Sequence, residues 1–184
     1  FLFQGGALFQ SMTAYENIAF PLREKTDMSE DEIHDRVMKE LNQVDLPDAA
    51  QKYPAELSGG MAKRVALARA LAQDPRIMLF DEPTTGLDPT MAHSIQDLIG
   101  SIHRRLGMTG VLSTHEIPHI FRIVDTVAMI KDGEIRFRGT PDEIMECDDP
   151  AVQQFLEHSM PPDKYRMGPK TTTTLRSESA EENS

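Results

Sequence analysis

Ile77-Met78-Leu79-Phe80-Asp81-Glu82 is an apolar run that ends in two acids. So short a run, bounded by polar turn residues, predicts a buried strand, because a buried helix needs ten or so residues to make its turns. A buried strand holds the side chains at its C-terminal tip rigidly, and α/β folds place ligands at that tip. Asp81 and Glu82 are therefore read as a working pair, one acid for a divalent cation and the other for a water. Two solvated strand-end acids would look the same in isolation.

Upstream, Ser58-Gly59-Gly60 opens an Ala-rich helical stretch from Met61 to Leu71 that Asp74-Pro75 stops. Backbone amides free of side chains and a helix N-terminus converge there on a negative group. Alone, such a turn is more often a plain helix cap; the acids downstream turn the reading toward a phosphate. Asp88-Pro89 caps a further helix carrying Ile95, Leu98, Ile99, Ile102 and Leu106, which Gly107 closes. A second buried strand is expected over Val111-Leu112-Ser113-Thr114, with His115 just past its end and able to donate to a phosphate oxygen. His34, His93, His103, His119 and His158 keep a structural reading. Helix and strand alternate, which implies parallel strands. Phe1-Leu2-Phe3 reads as the end of another buried strand, and Gln4 after it carries an amide that can coordinate a cation and touch an attacking water, although by itself it is an ordinary polar loop residue.

Local signals frame this centre. Thr13 with Glu16, Ser29 with Glu32 and Thr140 with Glu143 each place a hydroxyl three residues ahead of a carboxylate and predict helix starts. After Ser29, Ile33, Val37, Leu41 and Val44 recur at helical spacing, so this helix buries one stripe and ends near Leu46-Pro47. Asp132-Gly133 between Val127–Lys131 and Glu134–Arg138 predicts a tight antiparallel hairpin. Short helices are expected from Pro141 and from Pro150, the latter with Val152, Phe155 and Leu156. Residues 160–184, rich in Pro, Thr, Ser and Glu, read as a flexible tail.

Composition sets limits. With 184 residues and 39% hydrophobic content the chain fits most of a larger domain cut short, and it is expected to be a fragment. No Gly-x-x-x-x-Gly-Lys-Ser/Thr occurs in it. A net charge of −11 argues against nucleic-acid backbone as a partner, which needs clustered Lys and Arg. The single cysteine, Cys147, suits a reducing compartment, and with no signal peptide or long apolar stretch the cytoplasm is the expected location.

Taken together these residues resemble the ATP-binding subunit of ABC transporters. Gln4 matches the Q-loop, Leu57-Ser58-Gly59-Gly60 the signature, Ile77 to Glu82 the Walker B strand, Gly86-Leu87-Asp88 the D-loop and His115 the H-loop. Phe3-Gln4-Gly5-Gly6-Ala7-Leu8-Phe9, Pro21-Leu22-Arg23-Glu24 and Gly60-Met61-Ala62-Lys63-Arg64 look like the bacterial ATPases of Mla and Mce lipid-transport systems; Met61 stands where the wider family commonly has Gln.

The resemblance implies an α/β, partial P-loop NTPase fold with a mostly parallel sheet, an α-helical subdomain and an antiparallel hairpin. It divides the chain into the Q-loop end of a core (1–9), a helical subdomain (10–55), a signature-to-H-loop core with C-terminal helices (56–159) and a tail (160–184). It implies ATP and Mg²⁺ as cofactors, with Glu82, His115 and Gln4 catalytic, Asp81 and Gln4 on the metal, and Ser58, Gly59, Gly60 and Asp88 binding nucleotide. Implied partners are a second copy in a head-to-tail dimer, transmembrane permease subunits and lipid-carrying subunits, with the chain peripheral on the inner face of the cell membrane and nucleic acid excluded. Hydrolysis powering phospholipid transport is the implied function, although the fragment without its phosphate loop is expected to be inactive. An ABC ATPase for another substrate, a noncatalytic regulatory relative and a DNA-repair-type ABC ATPase remain as alternatives.

Overall fold

A computed structural model describes residues 1–117 and 119–160; the tail expected from residue 160 onward lies, beyond Met160, outside the described residues. Two compact units result, Phe1–Thr126 and a second beginning at Val127.

The helix starts follow from their caps. In α1 (Ala14–Lys25), the Glu16 amide donates to Thr13 Oγ1 at 3.2 Å and Glu16 Oε2 accepts from the Thr13 amide at 2.7 Å. The same reciprocal box opens α2 (Glu30–Gln43) at Ser29 and Glu32. In α2 the stripe of Ile33, Val37 and Leu41, continued by Val44 at the cap, is fully buried against α1 and α3 (Gly59–Leu71). Leu41→Ala is expected to lower unfolding stability by about 2–5 kcal/mol through the cavity it leaves. A urea titration of the folded protein checks this; a midpoint unchanged from the parent would show that the site collapses without cost.

One core joins α1, α2 and α3 to β1 (Ile77–Asp81) and α4 (Pro89–Leu106). β1 pairs in parallel with β2 (Thr109–Ser113), from Ile77 opposite Thr109 to Asp81 opposite Ser113. On its other side β1 bridges Leu2, whose amide donates to the Leu79 carbonyl at 2.8 Å and whose carbonyl accepts from the Asp81 amide at 2.9 Å. The order is therefore Leu2, β1, β2, all parallel.

The strands differ from expectation in being buried on one face only. Met78 and Phe80 are in the core, whereas Ile77 is 63% exposed, Leu79 41% and Val111 58%. Side chains alternate across a strand, and among the described residues the packed core lies on the Met78 and Phe80 side. Phe1 and Phe3, flanking buried Leu2, are exposed for the same reason. Thr114 lies past the end of β2, and Leu106, expected on the buried stripe of α4, is exposed in its last turn.

In the second unit, β3 (Val127–Lys131) and β4 (Glu134–Gly139) form the expected antiparallel hairpin. Asp132 at φ 54° and Gly133 at φ 80° supply the two left-handed positions of its turn. There follow α5 (Pro141–Met145), with a Thr140–Glu143 capping box, and α6 (Pro150–Ser159), which buries Val152 and Leu156; Phe155 is partly covered.

Candidate functional site at the carboxyl edge of the sheet

Because Leu2, β1 and β2 run the same way, Gln4, the Asp81–Glu82 pair and His115 leave the sheet at one edge. Glu82 continues the pairing through its amide, which donates to the Ser113 carbonyl at 3.0 Å, yet it sits at φ 43°. A left-handed glutamate is sparsely populated, and the turn breaks strand alternation so that the two carboxylates diverge.

Each acid is then fixed separately. Asp81 Oδ1 accepts from the Ser113 hydroxyl at 2.8 Å. Glu82 Oε1 lies 2.8 Å from His115 Nδ1, and its Oε2 accepts from the Thr85 hydroxyl at 3.2 Å. With one oxygen on each partner, the Glu82 carboxylate has a set direction. His115 is 69% exposed at the side chain, and its hydrogen bond to Glu82, with the nearby negative charge, holds its pKa above the usual imidazole value. The charge-assisted contact is thus present at low pH and is lost as pH rises through that elevated value, not through the ordinary one. An NMR titration is expected to place the His115 midpoint above that of a free imidazole, and to return it toward normal in Glu82→Gln; equal midpoints in both proteins would remove the contact as its cause.

Behind this edge lies Lys63, in α3 and 8% exposed, whose ammonium donates to the Gln4 carbonyl. Burial pushes its pKa down, while Glu116 and Glu82 pull it up. Glu116 in turn accepts from the fully buried Thr84 hydroxyl at 2.5 Å. The sequence reading missed Lys63, Ser113, Thr84 and Glu116. Lys63 shares its Ala-rich helix with Arg64 and Arg69, so the sequence did not single it out, and Ser113 needed the strand register.

Ser58, Gly59, Gly60 and Asp88 form a second cluster. Ser58 caps α3, its Oγ accepting from the Met61 amide at 3.3 Å, and Asp88 caps α4, one oxygen accepting from Thr90 and Met91 amides at 3.0 and 3.1 Å. The two helix mouths abut: a Cβ on Gly59 would come 3.3 Å from Leu87 Cδ2, and one on Gly60 would clash with the Met91 methyl. Ser58 and Gly59 are exposed, whereas Gly60 is buried. Among the described residues no hydrogen bond links this cluster to Asp81, Glu82 or His115.

The donor set suits Mg²⁺ in one specific way. Among the described residues no three His, Cys, Asp or Glu side chains are grouped as a metal-ion site. Mg²⁺ is ordinarily held by one or two hard oxygen ligands together with substrate phosphates. Asp81, anchored through one oxygen only, and the exposed Gln4 amide fit that pattern.

A family model for the ABC transporter matches residues 1–85, which contain Gln4, Ser58 to Gly60, Asp81 and Glu82. The chain belongs to the ABC transporter ATP-binding family. It is 42% identical over 156 residues to the intermembrane phospholipid transport system ATP-binding protein MlaF of Escherichia coli K12, covering 85% of this chain and 58% of that protein. To the probable ribonucleotide transport ATP-binding protein mkl of Mycobacterium tuberculosis H37Rv it is 44% identical over 155 residues, covering 84% and 43%. An ATP-binding cassette solved as a dimer in a post-hydrolysis state with ADP and Pi is 36% identical, with a TM-score of 0.67, covering 76% of this chain and 61% of that one. The chain thus spans under two thirds of the length of the curated relatives it matches.

Within this family the helical layer and the parallel sheet agree with the expected ABC ATPase fold, including the separate hairpin. Among the described residues no helix is long and apolar enough to cross a membrane.

Proposed function

We propose that the full-length protein is the ATP-hydrolysing subunit of an ABC transporter that powers phospholipid movement between membranes. The observation that carries the reading is the Glu82 carboxylate, held between His115 and Thr85 beside an Asp81 fixed by Ser113.

In this reading Glu82 takes the proton of the water attacking the γ-phosphate. His115, its Nδ1 turned to Glu82, uses Nε2 to donate to a γ-phosphate oxygen, and its raised pKa favours the charged form that meets the developing negative charge. Asp81 and the Gln4 amide oxygen hold Mg²⁺, which neutralises phosphate charge when bound. Ser58 Oγ accepts from the Met61 amide and keeps its own hydrogen for a phosphate oxygen. Ser58, Gly59 and Gly60 serve the nucleotide of a second, head-to-tail copy, and Asp88 lines the same junction. The dimeric state of the ADP-bound relative supports such sharing.

Residues 10–55 form the helical subdomain. Permease subunits provide the path through the membrane, lipid-carrying subunits deliver the cargo, and this subunit sits on the cytoplasmic, inner face of the cell membrane. The name of the MlaF relative supports phospholipid as cargo; the mkl relative supports a second reading, ribonucleotide. The engaged Glu82 and His115 speak against a noncatalytic regulator, and the −11 charge against a DNA-repair role.

The test is the assembled transporter in vesicles, with fluorescent phospholipid and labelled ribonucleotide followed in parallel. ATP-dependent phospholipid transfer that stops in Glu82→Gln supports the proposal. Ribonucleotide movement alone would replace the cargo, and ATP-independent transfer would end the reading.

A further inference from the structure

The signature helix is stitched to the segment that carries Gln4. Lys63, one turn beyond Gly59 in α3, donates to the Gln4 carbonyl. Two turns further, Arg69 donates through its two terminal nitrogens to the Ala7 and Gly6 carbonyls, both at 2.8 Å. Between these anchors the Gly6 backbone lies on the helix surface, where an added Cβ would stand 3.3 Å from Ala66 Cβ. Gly6 at φ 72° and Ala7 at φ 48° are both left-handed, and that backbone turn presents successive carbonyls to one helix.

Three carbonyls in four residues therefore depend on two cations of a single helix. Arg69 is partly buried and Lys63 nearly fully, and a buried cation without its acceptors is disfavoured, so the segment and the helix move together. A helix transmits displacement along its axis because its own hydrogen bonds are short-range and mutually supporting.

We propose that α3 is a rigid link between two nucleotide sites, with Lys63 and Arg69 as positioning residues that carry motion of the Ser58–Gly60 mouth to Gln4. The inference rests on the ATPase reading above, in which that mouth grips the partner copy's triphosphate while Gln4 serves the chain's own. Engagement of one ATP then sets the Gln4 amide at the other, and hydrolysis at either site is felt at both. In the ATPase reading neither cation is assigned to a nucleotide, and both are engaged by backbone carbonyls, so their loss alters geometry and leaves the assigned binding contacts in place.

The experiment uses the full-length protein in its transporter complex, with ATP hydrolysis measured against ATP concentration for the parent, Lys63→Met, Lys63→Arg and Arg69→Gln. In Lys63→Met, turnover is expected to fall about tenfold, the cost of a misplaced catalytic group. KM is expected to stay within about twofold, since ground-state binding contacts remain. The Hill coefficient is expected to drop from above one to about one, which simple loss of stability would not produce. Lys63→Arg, which keeps a cation within reach of the carbonyl, restores both. Should Lys63→Met fail to fold, Arg69→Gln removes the other two anchors and carries the same expectation. Parental turnover and Hill coefficient in a folded Lys63→Met or Arg69→Gln would overturn the link, as would a parent that hydrolyses ATP with a Hill coefficient of one. A parent unable to hydrolyse ATP at all would instead sink the ATPase reading on which the link rests.

Discussion

In the full-length protein, Glu82→Gln is expected to lower ATP turnover by about 10²–10⁴-fold, the usual worth of a positioned general base. The amide keeps the shape of the side chain; its one oxygen can accept from His115, and its NH2 then faces the Thr85 hydroxyl oxygen as a donor, so the site stays assembled. It has no basic oxygen to take a proton from water, so the attacking nucleophile is not generated. Asp81, held by Ser113, is untouched, and ATP binding is expected to persist. Bound triphosphate that cannot be cleaved leaves the two copies bridged, and a dimer is expected to accumulate in gel filtration with Mg²⁺ and ATP. Hydrolysis at near the parental rate would assign the proton to another acceptor.

Adding Gly59→Asp to that trapped protein is expected to return it to monomers. Each charge-assisted contact to phosphate is worth about 1.5–3 kcal/mol, and a symmetric dimer loses one per site, so its association weakens by about 10²–10⁴-fold before any repulsion. The new carboxylate also stands next to the phosphate it would have to face. Misfolding does not explain such a loss, because an acid in the first turn of a helix interacts favourably with the helix dipole. The one close neighbour is the flexible end of Leu87, at 3.3 Å. Light scattering and a thermal melt separate the two effects. A dimer persisting at the same ATP concentration, with an unchanged melt, would mean that the signature mouth does not bridge the copies.

What could be read from the chain alone followed the range of the interaction. The three capping boxes involve partners three residues apart, and the buried stripe of α2 repeats every three or four, so both were legible without any fold. The hairpin turn at Asp132-Gly133 was legible because its two left-handed positions are adjacent. Four apolar residues running into Asp81 and Glu82 announced a strand tip, since few other settings place acids directly after so apolar a run.

Sidedness was not legible: Ile77 and Leu79 are as apolar as Met78 and Phe80, and only the placement of the packed core shows which pair it covers. The partner of Asp81 was hidden for a similar reason, because Ser113 reaches it through the parallel register across 32 residues. Met91 against Gly60 and Lys63 against Gln4 are equally remote in sequence. The residues themselves determined which chemistry the chain carries and where its helices begin, because short-range hydrogen bonds and periodicity are written locally. Tertiary structure alone decided how each acid is aimed and which helix holds Gln4, because those contacts exist only once distant segments pack.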